Sequence, residues 1–169
     1  MRDSRITQIY EGTNGIQALD FIRRKLLGDG GKELGLLQDE LSQWCTRQSR
    51  EGRLSQLVIP LQVRLQEWRE LTTHVLEASN RNVQEIGACS VDFLQYSAYV
   101  LIAGFWLQAA ARAEAALASG TDEAGFYQAK LHSAAFYTDR VLPRASAHRE
   151  AILAGADSLM AMPETSFVF

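Results

Sequence analysis

Residues 54–76 read "LSQLVIPLQVRLQEWRELTTHVL", and the spacing of the apolar side chains in this stretch decides the fold class. They recur after alternating steps of four and three positions, which is the spacing of one face of a helix packed in a bundle. We call this face the seam, and it consists of Leu54, Val58, Leu61, Leu65, Trp68, Thr72 and Val75. Pro60 lies inside the stretch and has no backbone N–H, so a kink or a fresh helix start is expected there.

Two further helices are predicted before the seam. The helix over residues 32–50 is expected to bury one face, formed by Leu34, Leu37, Leu41 and Trp44. It follows "GDGG" at residues 28–31, which predicts the end of an earlier helix. That earlier helix should begin near Asn14, with Thr13 or Asn14 as its cap and Gln17 completing a capping box. Its predicted apolar stripe is Ile16, Leu19, Ile22 and Leu26.

A long fourth helix is predicted after the seam, over about residues 83–118. Within it, residues 93–111 carry no formal charge, which approaches the length that crosses a bilayer. Polar side chains interrupt this run and its flanks are not basic, so the central helix of a bundle is the preferred interpretation. "SGTDEAG" then predicts a break, with Thr121 or Asp122 capping a fifth helix over about residues 123–142. Pro143 is expected to open a short sixth helix before an irregular tail.

The sequence therefore predicts an all-α protein, an antiparallel helical bundle, since no period-two alternation lasts long enough for a sheet. Residues 1–31 differ in character from residues 32–169, and we predict a domain boundary between them. Cys45 and Cys89 show no metal-ligand or disulfide spacing, and the N-terminus lacks the apolar region of a signal peptide, which favours a reduced, intracellular protein. The net charge of −3, without a basic run, gives no footprint for nucleic acid.

The common catalytic patterns are missing from the bundle. The three histidines, His74, His132 and His148, fall on separate predicted helices, so no metal site is expected. "GDGGKELG" follows no strand and lacks the Ser or Thr of a phosphate loop, so it is interpreted as a helix terminator. "RRK" at residues 23–25 is interpreted as a solvated face. Trp44, Trp68 and Trp106 are predicted to be core residues rather than ligand platforms.

Glu11 is the one carboxylate whose surroundings suggest chemistry. It lies in "QIYEGTNGIQ", residues 8–17, just before the first predicted helix. From the residues alone, Glu11 is either a solvated side chain that complements the helix dipole or a general base. The glycine that follows, Gly12, lets backbone approach a ligand closely, and Ile9 and Tyr10 can provide the apolar surroundings of a base. Both interpretations stay open on this ground.

The stretch "RDSRITQIYEGTNGIQALDFIRRKL", residues 2–26, closely resembles the C-terminal signature of the acyl-CoA dehydrogenase family, R-D-A-x-I-x-x-I-Y-E-G-T-x-x-I-Q. Residues 126–143, "FYQAKLHSAAFYTDRVLP", look like the helical extension that follows this signature in the longer bacterial members. The chain thus resembles the C-terminal quarter of such an enzyme. It is expected to comprise the end of the catalytic C-terminal helical domain, residues 1–31, and the helical-bundle extension, residues 32–169.

The resemblance implies specific roles for five residues. Glu11 would be the general base that removes the α-proton of an acyl-CoA while a β-hydride passes to FAD. Gly12 would lie against the substrate, and Thr13, Asn14 and Gly15 against FAD. The family often has glutamine or glutamate where Gly15 stands, so this position offers FAD no side chain.

The resemblance also implies partners: an electron-transfer flavoprotein as acceptor, a homo-oligomer, and a place in cytoplasmic fatty acid metabolism. The family's FAD and acyl-CoA sites also draw on a helical N-terminal domain and a central β-domain, so the 169-residue chain alone is expected to be inactive. The alternative is a non-catalytic helical bundle that acts in oligomerisation or binding. In either case residues 32–155 are expected to fold stably, and residues 1–10 to be poorly ordered.

Overall fold

The computed structural model of the chain describes residues 13–48 and 53–167, which are helical or lie in turns between helices and include no strand. The predicted all-α class and bundle are therefore confirmed. The helices are α1 (Asn14–Asp20, continued by Phe21–Leu26 and Leu27–Asp29), α2 (Lys32–Gln48), α3 (Arg53–Arg81), α4 (Gln84–Ala118), α5 (Ala124–Phe136, continued by Tyr137–Val141), α6 (Ala145–Ala154) and α7 (Asp157–Met160).

Helix α4 is the centre of the fold, and α1, α3, α5 and α6 all pack against it. Its side chains Phe93, Tyr96, Val100 and Leu107 are fully buried. By length and composition α4 could also cross a membrane, but a core helix has the same properties, and 44% of its most apolar window is buried in the fold. The packing agrees with the interpretation of α4 as the central helix of the bundle.

The seam on α3 is confirmed, because all seven of its predicted members are buried. Each large apolar side chain buried in this way contributes about 1.5–3 kcal/mol to the hydrophobic stabilisation. Of the two alternatives predicted at Pro60, the fresh helix start is wrong, since α3 runs without interruption from Arg53 to Arg81, and the kink stays a prediction. Val58 and Leu61, on either side of the proline, are completely buried, and their packing holds the helix together although Pro60 donates no hydrogen bond.

Helix α1 begins at Asn14 as predicted, and its N-cap is Thr13, whose side chain makes no capping hydrogen bond. The predicted capping box of Asn14 and Gln17 is not formed, because Asn14 is already the first helical residue. Ile22 and Leu26 are buried, whereas Ile16 is 65% exposed and does not belong to the buried face. The reason is Ala18, which is fully buried and lies about 200° around the helix from Ile16.

Gly30 and Gly31, with φ of 68° and 80°, end α1 as predicted, in the left-handed region that suits glycine. The turn is short, and α1 packs its buried face into the same core cluster as α3 and α4. The Phe21 ring also stacks on Phe93 of α4, with ring centroids 5.6 Å apart. The domain division at residue 31 stays a prediction.

The buried face of α2 is rotated from the predicted one. Leu41 is buried, but its buried companions are Gln38 and Cys45. The predicted companions Leu34, Leu37 and Trp44 are half-buried at the edge of the core. Gln38 can be buried because its side-chain amide donates a hydrogen bond to the Thr72 hydroxyl of α3, 3.0 Å away.

The C-terminal helices follow the prediction with two differences. The N-terminus of α5 has no side-chain cap, and the Thr121 hydroxyl instead accepts a hydrogen bond from the Glu123 amide in the preceding turn. Pro143 does not open α6 but lies within the single 3-10 turn Leu142–Arg144, and α6 begins at Ala145. The tail predicted to be irregular, residues 160–169, is described as far as residue 167. Met160 is the last residue of α7 and Glu164–Ser166 form a turn, and the rest of the described tail is irregular as predicted.

Candidate functional site at the start of helix α1

Three of the five predicted site residues lie at the first turn of α1. Thr13, Asn14 and Gly15 are all exposed there. Glu11 and Gly12 lie outside the described residues, as do residues 1–10 for which poor order is predicted. The site can therefore be described from its α1 side.

The first turn of α1 is open to a ligand. The Gln17 amide donates to the Thr13 carbonyl over 2.7 Å, so the helical ladder begins at that bond and the amides of Asn14, Gly15 and Ile16 have no intrahelical acceptor. The Thr13 side chain does not close this end, and among the described residues no atom outside this stretch of helix lies within 4 Å of the place where a Cβ on Gly15 would stand. Exposed amide donors of this kind can bind an anionic group such as a phosphate.

Beside this turn, a shallow groove of about 250 Å³ is lined by Ile16, Leu19, Asp20, Arg23 and Arg24. The Arg24 guanidinium pairs with the Asp20 carboxylate one turn earlier, at 2.9 Å. Arg23, Arg24 and Lys25 are exposed, so "RRK" is a solvated face as predicted.

The glycine-rich turn after α1 is a helix terminator, as predicted, and the amides of Gly31 and Glu33 are already paired. The Asp29 carboxylate accepts hydrogen bonds from the Gly31 amide (2.9 Å) and from the Glu33 amide (2.8 Å). These bonds, mainly that from Glu33, hold the pKa of Asp29 below its usual value. A carboxylate of the chain itself thus caps the start of α2.

The described residues contain no cluster of three or more His, Cys, Asp or Glu side chains that could hold a metal ion. His148 of α6 instead lies 2.8 Å from Asp92 of α4, Nδ1 to Oδ1, and stacks on the Tyr99 ring. Sequence reasoning missed this pair because its members are 56 positions apart and no local spacing relates them. The pair ties α6 to the central helix.

A second polar cluster joins α3 to α4 and was also missed. The Tyr96 hydroxyl lies 2.8 Å from Glu67 Oε2 and 3.0 Å from the Arg64 carbonyl. Burial, and next the Glu67 carboxylate, raise the pKa of Tyr96 far above its usual value. Arg64 pairs with Glu67 at 2.6 Å, so the carboxylate is neutralised and held in place. A tyrosine that stays protonated and fully bonded holds the structure together and is not a nucleophile.

The two thiols are predicted to be unreactive in the folded chain. Cys45 and Cys89 are buried and unpaired, and burial raises the pKa of each to about 11. Only the thiolate reacts, and at pH 8 a pKa of 11 leaves about one thiol in a thousand ionised. We expect Ellman's reagent to label neither cysteine of the native chain within minutes, and both in 6 M guanidinium chloride. Rapid labelling of one thiol in the native chain would show that its helix opens readily.

Comparison with known proteins shows the family to which the chain belongs. Residues 37–163 match the family described as "Acetyl-CoA dehydrogenase C-terminal like". The chain belongs to the acyl-CoA dehydrogenase family. The broad-specificity linear acyl-CoA dehydrogenase FadE5 of Mycobacterium tuberculosis is 34% identical to it over 176 residues, covering 99% of this chain and 29% of that protein. The 3-methylmercaptopropionyl-CoA dehydrogenase of Ruegeria pomeroyi is 35% identical over 164 residues, covering 94% of this chain and 27% of that protein.

This acyl-CoA dehydrogenase segment thus spans less than a third of the length of the two curated relatives. The match confirms the resemblance drawn from the signature and places the chain with the C-terminal portion of the family. The roles of Glu11, Gly12, Thr13, Asn14 and Gly15 stay predictions.

Proposed function

We propose that this chain is the C-terminal segment of an FAD-dependent acyl-CoA dehydrogenase, which introduces an α,β double bond into an acyl-CoA thioester. The observation that carries the proposal is the signature "IYEGT" at residues 9–13, which leads directly into the open first turn of α1 in a chain of this family. A base next to exposed helix amides suits a reaction that moves negative charge onto a carbonyl oxygen.

Each site residue has a chemical role in this proposal. The Glu11 carboxylate takes the proton from the α-carbon, and the Glu11 backbone N–H donates to the thioester carbonyl as negative charge develops there. Gly12 leaves room for the substrate, and Thr13, Asn14 and Gly15 face FAD. FAD, when bound, supplies the acceptor for the hydride that leaves the β-carbon.

The isolated chain is proposed to be inactive. Thr13, Asn14 and Gly15 are exposed, and α1 forms only one side of the site among the described residues. A general base works best in a site from which water is excluded, and the remaining walls must come from other domains of the full-length enzyme. The short span of the chain relative to its curated relatives supports this division.

We extend the proposal to the enzyme's surroundings. The acceptor of its electrons is an electron-transfer flavoprotein, the enzyme is a homo-oligomer, and it acts in cytoplasmic fatty acid metabolism. We propose no nucleic-acid partner, because the net charge is −3. The buried thiols, which form no disulfide, suit a reducing compartment. These parts rest on the family relationship.

The test compares the 169-residue chain with the full-length enzyme, purified side by side. We expect stoichiometric flavin absorbance and acyl-CoA-dependent reduction of a dye in the full-length enzyme, and neither in the chain. Circular dichroism of the chain should show folded helices, so that missing flavin is not a sign of unfolding. Stoichiometric FAD in the 169-residue chain would contradict the proposal that the site needs other domains.

A non-catalytic bundle for oligomerisation or binding is the second candidate. It is favoured by large apolar side chains that α4 and α5 leave exposed, Phe105, Phe126 and Phe136 among them. The reading frame upstream of the chain separates the two candidates. Coding sequence for a helical N-terminal domain and a β-domain supports the dehydrogenase, and a frame without them supports the independent bundle.

A further inference from the structure

Helix α4 has an apolar stripe on the side that faces away from the core. We call it the outer stripe, and it consists of Val91, Leu94, Ala98, Leu101, Ile102 and Phe105. Phe105 is 57% exposed and Ile102 is 42% exposed, and residues 93–111 carry no formal charge. The outward face of a surface helix is ordinarily charged or polar. An apolar outward face such as the outer stripe therefore indicates a surface that another protein surface covers.

A groove lies beside the outer stripe, on the side of α1 and α2. We call it the α2 groove. Its volume is about 270 Å³, and it is lined by Phe21, Leu34 and Leu37 together with Leu94, Ala98 and Leu101 of the stripe itself. That is the space of roughly nine water molecules at about 30 Å³ each, enough for one aromatic side chain.

Helix α5, on the other side of the stripe, adds to the apolar surface. Its residues Phe126 and Phe136 are more than half exposed, and Lys130 is the one charged residue in Ala124–Phe136. The Lys130 ammonium lies over the Phe126 ring, 4.8 Å from its centroid. The methylene groups of Lys130 therefore add to the apolar surface of α5. Exposed apolar surface of this extent marks an interaction site.

We propose that the outer stripe is covered by a second copy of this chain, with the two α4 helices antiparallel about a two-fold axis near Leu101 and Ile102. Phe105 projects on one side of that axis, and the α2 groove, centred on Ala98, lies about two helical turns away on the other side. The two-fold operation places each Phe105 over the partner's groove. The surface is therefore complementary to itself, as a two-fold dimer requires.

The size and charge of the surface suit such a dimer. The outer stripe from Val91 to Phe105 is about 21 Å long at 1.5 Å per residue. With one flanking helix on each side at a spacing of about 8–10 Å, it offers on the order of 550 Å² per copy and ~1,100 Å² in total, above the ~1,000 Å² that a specific interface should bury. Because the stripe itself is uncharged, no like charges oppose each other along the line where the two α4 helices meet.

This inference adds a surface to the homo-oligomer of the proposed function and does not depend on dehydrogenase chemistry. Its test measures the mass of the assembly and not turnover. The dimer proposal can therefore fail while the catalytic proposal holds, and the catalytic proposal can fail while the dimer proposal holds.

Sedimentation equilibrium of the 169-residue chain is expected to give twice its mass of 18.8 kDa. Phe105→Glu should raise the dimer dissociation constant by at least about 100-fold, because it removes two central aromatic anchors and places two carboxylates in the partners' grooves. Ile59→Glu is the matched control, since Ile59 is also 57% exposed but lies on α3. The control should dimerise like the unchanged chain, and circular dichroism should show both variants folded.

A charge pair tests the register of the two helices. Phe105→Lys and Ala98→Glu should each weaken the dimer, whereas the double variant should dimerise more tightly than either single one, because each lysine then meets the partner's glutamate. A chain that stays monomeric at several hundred micromolar would overturn the proposal. So would a dimer that is insensitive to Phe105→Glu, or a full-length enzyme whose assembly Phe105→Glu leaves unchanged, since other domains would then cover the stripe.

Discussion

Replacing Glu11 by glutamine in the full-length enzyme is expected to lower the rate of dehydrogenation by about 10²–10⁴-fold, the range for loss of a general base. The α-proton of a thioester is weakly acidic, so the loss should fall near the upper end. Glutamine is nearly isosteric with glutamate, so the fold and the bound flavin should be unaffected. Anaerobic bleaching of the flavin by acyl-CoA in a stopped-flow instrument measures the step directly.

Glu40→Gln is a suitable control for the Glu11 variant, because Glu40 is an exposed carboxylate on α2 and lies outside the signature. It should bleach at the rate of the unchanged enzyme. A Glu11→Gln enzyme that is yellow, loaded with FAD and still turns over at half the normal rate would remove Glu11 from the mechanism.

Trp68→Ala is expected to cause the largest loss of stability in the bundle, about 3–5 kcal/mol in the free energy of unfolding. Trp68 is 1% exposed at the contact between α3 and α4. Its indole N–H donates to the Ser97 hydroxyl over 2.8 Å, and that hydroxyl donates to the Phe93 carbonyl over 2.7 Å. The substitution removes the packing of a large side chain and leaves a cavity in the middle of the seam.

Urea denaturation followed by circular dichroism measures this loss, and Trp44→Ala provides the comparison. Trp44 is half-buried at the edge of the core, so its removal creates less cavity and should cost clearly less. Equal midpoints for the two alanine variants would show that the α3–α4 contact contributes less to stability than its burial indicates.

The seam on α3 could be predicted completely because four-and-three spacing is a local property of the sequence. The face of α2 could not, because it depends on Gln38. A glutamine is predicted to face solvent, and only the distant hydroxyl of Thr72 makes its burial possible. The fresh helix start at Pro60 is excluded for a similar reason, since the packing of Val58 and Leu61 on either side of the proline outweighs one missing hydrogen bond.

The same distinction between local patterns and distant contacts decides which polar residues could be predicted. The signature at residues 9–13 is contiguous, so the roles of Glu11 and its neighbours could be proposed from the sequence. The hydrogen bond between Tyr96 and Glu67 joins residues 29 positions apart on two helices, and no spacing within either helix predicts it. Contacts of this kind are fixed by helix packing, which sequence periodicity alone does not specify.

The central place of α4 has a consequence for synthesis on the ribosome. The buried faces of α1 and α3 pack against a helix that follows them in the chain. At about 5–20 residues per second, the 35 residues of α4 take roughly 2–7 s to translate. During that interval α4 is not yet present to cover the seam of α3, and a holding chaperone can bind there. Helices α5 and α6 emerge later and dock, one after the other, onto a surface that already exists.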